Sequence, residues 1–359
     1  MSKKKILFFV EAMGGGVFTY ITNLANGLSE EFDVYVAYAT RKQTPSNYKE
    51  YFNKNVHLIK VNDFTRQISF QDIKAFFEIR KICRLVKPDI IHLHSAKAGI
   101  LGRWAFSGKK IPIFYTPHGY SFLMSNISPI KKKIYKAIEK VSAMRNCTTI
   151  SCSSGENDET KKLTSRALYV DNGINIQNID DIIKNSDIVE DDNKTIFTIG
   201  RISTQKNPQL FNEIAKRFPE NQFVWIGDGE LRNQLTSSNI TVTGWKNVNE
   251  TLKIAQKHRI FLLTSKWEGL PMSLLEAMYM KKICVVSNVI GNNNVITDKV
   301  NGYLCSSVND YTDVIKEILK GKTPSYIINN AYNDIINHFN SESMVKGYID
   351  IYRNVLSEK

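Results

Sequence analysis

Short β-rich runs alternate with helical stretches through both halves of this chain, and that alternation restricts the fold more than any other feature. KILFFV, DVYVAY, VHLIKV, DIIHLH, IPIFYT and TTISC recur in the first half, separated by helical patterns such as FTYITNLANGL and FQDIKAFFEIRKICRLV. TIFTIG, QFVWIG, ITVTG, RIFLLTS and KICVVS repeat the scheme in the second half. Runs that are almost continuously apolar suit strands buried on both faces. The sequence therefore predicts an α/β chain of two Rossmann-like, doubly wound parallel sheets with helices on both sides of each. A length of 359 residues and an apolar fraction of 42% supply two cores of ordinary size. The expected divisions are 1–171 for the first domain, 172–194 for a linker ending in the acidic, polar EDDNK, and 195–340 for the second domain. A terminal helix over 341–359, with Met344, Tyr348, Ile351, Tyr352 and Val355 on one side, completes the chain. Ligands of such sheets bind outside the carboxyl ends of the strands, so two facing sheets would put the site in the cleft between them.

Charge is unevenly distributed. The net charge is +13, yet residues 1–166 hold 27 Lys plus Arg against 13 Asp plus Glu, while residues 167–359 hold 21 against 22. An excess confined to one half points to a polyanionic partner for that half, nucleic acid or an anionic membrane surface. The basic residues are not interleaved with stacking aromatics as in single-strand binders, which argues against nucleic acid. The apolar run of MSKKKILFFVEAMGGG stops at Glu11, too short for a signal-peptide core, and no later segment has the length of a membrane span, so a cytoplasmic protein is expected. Cys83, Cys147, Cys152, Cys284 and Cys305 form neither a CxxC pair nor a zinc spacing and read as small buried hydrophobes.

Chemistry concentrates at strand ends. In SKWEGLPMSLLE, after RIFLLTS, Glu268 falls in a loop, Pro271 suits the first helical position, and Glu276 lies more than a turn into the helix. The two acids bracket a helix N-terminus whose free N–H groups and dipole suit a phosphate. In GRISTQKNP, Arg201 and Lys206 stand five apart in one strand-end loop, a planar fork and a compact point charge fit to clamp a diphosphate. Gly14, Gly15 and Gly16 follow the first strand, where backbone N–H groups could meet a diphosphate or simply form a tight turn. Gly227, Asp228 and Gly229, then Gly244 and Trp245, end two further strands and could border a flat base. DIIHLHSAKAGILGR and IFYTPHGYSF contribute His92, His94, Lys97, Arg103 and His118; without a D-x-D anywhere, no metal site is expected.

Taken in chain order, these strings resemble the glycosyltransferases of family 4, retaining enzymes of the GT-B fold. The points of likeness are the glycine loop, HxHxxKAGxLGR, TPHG, G-R-x4-K, G-D-G and E-x7-E. The HxH and TPHG strings look like those of members that build bacterial capsule and exopolysaccharide. The resemblance implies a nucleotide-sugar donor, most simply UDP-linked, and a lipid-linked saccharide acceptor, with no metal or other cofactor. Arg201 and Lys206 would stabilise the leaving diphosphate, together with the helix start at Gly269, Leu270, Met272 and Ser273. Glu276 would bind the ribose and Glu268 the donor sugar, with Gly15 and Gly16 by the phosphates. Gly227, Asp228, Gly229 and Trp245 would line the base, His118 would touch the donor sugar, and His94, Lys97 and Arg103 would face the acceptor. The chain departs from the family pattern at Glu230, usually proline, at Asn175, usually aspartate, and at Asn294, usually glutamate. A GT-B epimerase or hydrolase of a UDP-sugar, or less simply a nucleic-acid-binding module, are the alternatives.

One further segment, SPIKKKIYKAIEKV, sets Lys131, Lys132, Lys133, Lys136 and Lys140 on a helical pattern with Ile130, Ile134, Tyr135, Ile138 and Val141. Pro129 suits its start, and the pattern is that of a basic amphipathic helix lying on an anionic membrane. The expected location is the inner face of the cell membrane, held peripherally.

Overall fold

The computed structural model describes residues 3–41, 44–64, 70–124, 127–184 and 195–358. The end of the expected linker, 185–194, lies outside the described residues. The chain divides into two compact units, residues 1–172 with 341–359, and residues 173–340.

In the first unit the strands are β1 (Lys5–Met13), β2 (Asp33–Thr40), β3 (His57–Lys60), β4 (Ile90–His94), β5 (Ile113–Thr116), β6 (Thr148–Ser151) and β7 (Ala167–Tyr169). They form one parallel sheet in the order β3-β2-β1-β4-β5-β6-β7. Its helices are α1 (Gly15–Leu28), α2 (Gln71–Val86), α3 (Ala96–Ala105), α4 (Pro129–Ala143) and α5 (Ser154–Lys161). Strand β1 shows why the sheet is buried twice over. Ile6, Phe8 and Val10 enter a core with α1, while Leu7 and Phe9 enter a second core with Ala75 and Ile79 of α2 and Ala98 of α3.

The second unit begins with α6 (Ile176–Lys184) and continues with strands β8 (Ile196–Ile199), β9 (Phe223–Ile226), β10 (Ile240–Val242), β11 (Ile260–Leu263), β12 (Ile283–Ser287) and β13 (Tyr303–Cys305). Its sheet is also parallel, in the order β10-β9-β8-β11-β12-β13. Helices α7 (Pro208–Lys216), α8 (Val248–Gln256), α9 (Met272–Tyr279), α10 (Val308–Leu319) and α11 (Ser325–Asn337) cover it, and α12 (Ser341–Ser357) ends the chain. The doubly wound parallel architecture expected from the alternation is the one that forms.

Two readings need correction. Residues 176–184, expected as aperiodic linker, are helical: Ile179 and Ile182 are buried on one side, and the Asn175 carboxamide oxygen accepts the Asn178 N–H at 3.0 Å, fixing the first turn. Strands β7 and β13 escape the sequence reading: each has three residues at a sheet edge, as β10 does, but Ala-Leu-Tyr and Tyr-Leu-Cys lack the β-branched run Ile-Thr-Val that marks β10.

Helix α12 belongs to the first unit. Met344, Tyr348 and Tyr352 are buried in the core that α1 shares, and a Cβ on Gly27 would collide with Val345, so that glycine permits α1 and α12 to approach. At the far end Arg353 donates Nε–H and Nη2–H to the two carboxylate oxygens of Glu31, at 2.7 and 2.6 Å.

Candidate active site

Where strand order reverses, a doubly wound sheet leaves a crevice at its carboxyl ends. In the second unit that switch lies between β8 and β11. The loop after β8 carries Arg201 and Lys206, and the loop after β11 carries Glu268. Topology thus joins segments some sixty residues apart: Lys206 Nζ is 2.7 Å from Glu268 Oε1 in a pair little exposed to solvent. Glu268 also accepts Ser265 Oγ–H at 2.6 Å and Gln205 Nε2–H at 3.1 Å. Ser265 and Gln205 carry no motif of their own, and only the fold shows that they orient this carboxylate.

Helix α9 starts directly after this loop. Pro271 is its cap residue rather than its first helical residue and offers no side-chain cap, which leaves the Met272 and Ser273 N–H groups as the open donors of a helix start. Leu270 beside them is buried. Glu276, fifth in the helix, has a carboxyl with no hydrogen-bond donor among the described residues, and burial pushes it up to about 7. Tyr279, one turn on, donates its hydroxyl to Asp180 of α6 at 2.6 Å, so the newly recognised helix braces the one that presents Glu276.

Arg201 lies in an exposed pair with Glu230, 2.9 Å from Nε to Oε2. The acid that replaces the family's proline therefore engages the cation expected to meet the diphosphate. Gly227 and Gly229 have a structural reason of their own. A Cβ at either would strike backbone oxygen of the β8 loop, Gly200 O or Ile202 O, at 2.2 Å. Asp228 accepts Gly229 N–H at 2.8 Å and pairs with Arg232 at 3.1 Å. A bridge between Gly227 and Gly244 brings the exposed Trp245 beside this turn. Asn294 accepts the Gly291 N–H at 3.0 Å.

In the first unit the switch lies between β1 and β4. Gly15 and Gly16 open α1 after β1; Gly15 has φ 56° with open space around a would-be Cβ, so backbone conformation alone asks for glycine there. The histidines form one cluster. His118, after β5, meets His94 Nδ1 through Nε2 at 3.2 Å and packs its ring against the edge of Tyr20, centroids 4.6 Å apart. Burial holds His118 at about 3, so it is neutral at physiological pH and can serve only as a neutral hydrogen-bonding group. Thr116 donates to Ile150 O at 2.8 Å, so its oxygen accepts from His92 Nε2–H at 2.9 Å, and His92 Nδ1 accepts the Tyr352 hydroxyl at 2.6 Å. The terminal helix is thereby tied to the strand that precedes the TPHG loop.

The acceptor-side expectation is corrected for two residues. His94 is fully buried and spends Nδ1 on His118. Arg103 is equally buried, donating to Glu139 at 2.7 Å and Gly99 O at 2.9 Å with its guanidinium over Tyr115. Both side chains sit beneath the surface because β4 and α3 turn them into the domain interior. Lys97 is half-buried and paired with Asp72 of α2 at 2.5 Å.

The Arg103–Glu139 pair has a second consequence, for α4. It fixes that helix's inner side, with Glu139, Ser142 and Ala143 buried and Tyr135 packed on the core. Ile130, Ile134, Val141 and Met144 are left 72%, 50%, 49% and 79% exposed. Tyr135, expected on the outer apolar face, turns onto the core, Ile138 is half-buried beside the outward stripe, and Met144 extends that stripe. Lys131, Lys133, Lys136 and Lys140 are exposed along its flanks, with Lys132 half-buried. Among the described residues, no helix is long and apolar enough to cross a membrane.

Comparison with known proteins agrees with this architecture. Residues 14–178 match the family described as Glycosyltransferase Family 4, and residues 178–334 match Glycosyl transferases group 1. The chain is 31% identical to the Escherichia coli UDP-Gal:alpha-D-GlcNAc-diphosphoundecaprenol alpha-1,3-galactosyltransferase, over 86% of this chain and 87% of that one. It is 27% identical, over 84% of each, to a Campylobacter jejuni alpha-1,4-N-acetyl-D-galactosaminyltransferase whose named acceptor is GalNAc-alpha-(1->4)-GalNAc-alpha-(1->3)-diNAcBac-PP-undecaprenol. Among solved structures, sucrose-phosphate synthase from Thermosynechococcus elongatus superimposes with a TM-score of 0.82 over 99% of this chain and 100% of that one, at 14% identity. On these matches, and on the two parallel-sheet units that carry the family's strings at their strand ends, the chain belongs to the family 4 glycosyltransferases of the GT-B fold.

Proposed function

We propose that this glycosyltransferase moves a sugar from a UDP-linked donor, with retention of configuration, onto a saccharide carried by undecaprenyl diphosphate during capsule or exopolysaccharide assembly. The contact of Lys206 with Glu268 at 2.7 Å carries the reading, because it assembles the R-x4-K and E-x7-E segments at one switch point beside an uncapped helix start. Lys206, Arg201 and the Met272 and Ser273 N–H groups supply preorganised positive charge for a leaving diphosphate without a metal. Glu276 accepts the ribose hydroxyls, and Glu268, held by Ser265 and Gln205, orients the donor sugar. His118 offers a neutral ring to that sugar. The leaving phosphate then deprotonates the acceptor on the face from which it departs. Undecaprenol diphosphate in the names of both relatives supports the acceptor, and UDP-Gal in one supports the donor.

The test is a thermal-shift screen of UDP-, GDP-, dTDP- and ADP-sugars in EDTA, followed by product analysis with and without a lipid-linked acceptor. A ligand at 100 times its dissociation constant adds about 2.7 kcal/mol of stability. A shift with UDP-sugars and transfer that survives EDTA are expected. Activity lost in EDTA and restored by manganese overturns metal independence, and sugar released equally well without acceptor identifies a hydrolase.

The same reading puts the enzyme on the inner face of the cell membrane through α4. Its outward stripe of Ile130, Ile134, Val141 and Met144 is flanked by lysines, and α2, packed on α3 as α3 is on α4, exposes Phe70, Ile73 and Phe77 beside Lys74 and Lys81. Each lysine near an anionic leaflet contributes about 1 kcal/mol, so three give reversible attachment that salt weakens. Co-sedimentation with anionic vesicles should drop at least tenfold for a Lys131, Lys132, Lys133→Gln triple variant. Equal binding by both proteins, or no preference for anionic over neutral vesicles, removes α4 as the anchor.

A further inference from the structure

The loop after β5 turns through two consecutive left-handed residues, His118 at φ 56° and Gly119 at φ 95°. Glycine adopts that region freely, but a residue with a Cβ does so only where its surroundings over-determine it. The restraint comes from Glu156, in the first turn of α5 and fully buried. Its Oε1 accepts the Gly119 N–H at 2.6 Å, while Oε2 accepts the Cys152 N–H at 2.9 Å and the Cys152 thiol at 3.2 Å. Three donors converge on the group, and only a side chain that is acceptor throughout satisfies them all. In sequence, Ser153 and Glu156 have merely the spacing of a capping box. Ser153 Oγ does accept the Glu156 N–H at 3.2 Å, but the carboxylate reaches past the helix start and ties the β6 loop to the TPHG loop.

We propose that Glu156 is a positioning residue for sugar transfer, holding the His118–Gly119 turn in its left-handed conformation and thereby aiming the His118 imidazole at the donor sugar. The inference rests on the reading that His118 meets that sugar. Glu156 itself lies beneath the surface and acts only through the turn. Tyr20 and His94 contact the His118 ring without involving Glu156, so the effect expected is a loss of aim, not of the cluster. Glu156→Gln keeps the shape but sets an amide N–H against a backbone N–H, freeing one anchor of the turn.

A double-mutant cycle with His118→Ala tests this. Glu156→Gln alone should lower kcat by about 10- to 100-fold, with the dissociation constant for UDP unchanged within about twofold, since Arg201, Lys206 and the α9 start proposed to hold the diphosphate are in the other unit and Glu156 touches neither Gly15 nor Gly16. In a His118→Ala background, itself lowered by on the order of 10²-fold, Glu156→Gln should change kcat by less than about twofold. Equal losses from Glu156→Gln in both backgrounds show a general structural role and overturn the proposal, as does wild-type kcat in Glu156→Gln. Wild-type kcat in His118→Ala overturns instead the donor-sugar role of His118. If Glu156→Gln does not fold, Gly119→Ala strains the same turn from the other side and takes its place in the cycle. The same non-additivity with His118→Ala is then expected, and additive losses overturn the proposal.

Discussion

Lys206→Ala and Arg201→Ala should each lower turnover by on the order of 10² or more, as the loss of a preorganised charge partner for a leaving group does. The structure separates the two variants by their effect on the resting protein. Lys206 and Glu268 are 14% and 7% exposed, so removing the ammonium leaves a shielded carboxylate that keeps the neutral donors Ser265 and Gln205 but loses its charge partner. Melting should therefore fall by several degrees in Lys206→Ala. Arg201 and Glu230 are 33% and 49% exposed, and a pair so open to water contributes about 0 to 1 kcal/mol. Arg201→Ala should melt as the wild type does while losing activity. Steady-state kinetics beside a thermal melt check both statements, and near-normal turnover in both variants discards the diphosphate clamp.

Donor affinity should rise with pH, because Glu276 changes charge in the working range. Burial raises its carboxyl to about 7, so the empty site holds the proton below that value. Ribose hydroxyls that donate to a carboxylate select the ionised form, and binding then strengthens as pH climbs through 7. The ionised fraction goes from about a tenth at pH 6 to about nine-tenths at pH 8, which tightens binding about tenfold. His118, held near 3, stays neutral across the window and adds no slope. Calorimetry with an intact UDP-sugar, whose diphosphate carries no proton in this range, reads the effect directly. Glu276→Gln should bind about 1.5 to 3 kcal/mol more weakly than the wild type at pH 8 and show a flat profile. A flat profile in the wild type, or unchanged affinity in the variant, counts against the ribose contact.

How far the sequence reached can be judged from particular elements. The alternation of apolar runs with helical stretches was enough for two doubly wound sheets, because strands buried on both faces need no partner information to be recognised. Arg201, Lys206, Glu268 and Glu276 were legible because strand-end loops carry their chemistry in consecutive residues. Three elements were not: β7 and β13 lack the β-branched run that marks the equally short β10, and α6 declares itself only through Ile179, Ile182 and one capping amide. What tertiary structure alone decided was which side chains reach solvent and which polar groups meet. His94 and Arg103 sit in strings that look like an acceptor surface, yet the fold turns both inward, since direction from a strand end or helix depends on what packs against it. The α4 pattern could be read as basic and amphipathic, but only the buried Glu139 shows that Tyr135 faces in and Met144 faces out. Glu156 has the spacing of an ordinary helix cap, and its hold on the His118 turn exists because β5 and β6 are neighbours in the sheet. Local sequence thus determined the elements and the chemistry of each loop. Burial, the pairing of Lys206 with Glu268 and the strain at His118 depend on contacts between residues far apart in the chain, which only the assembled fold contains.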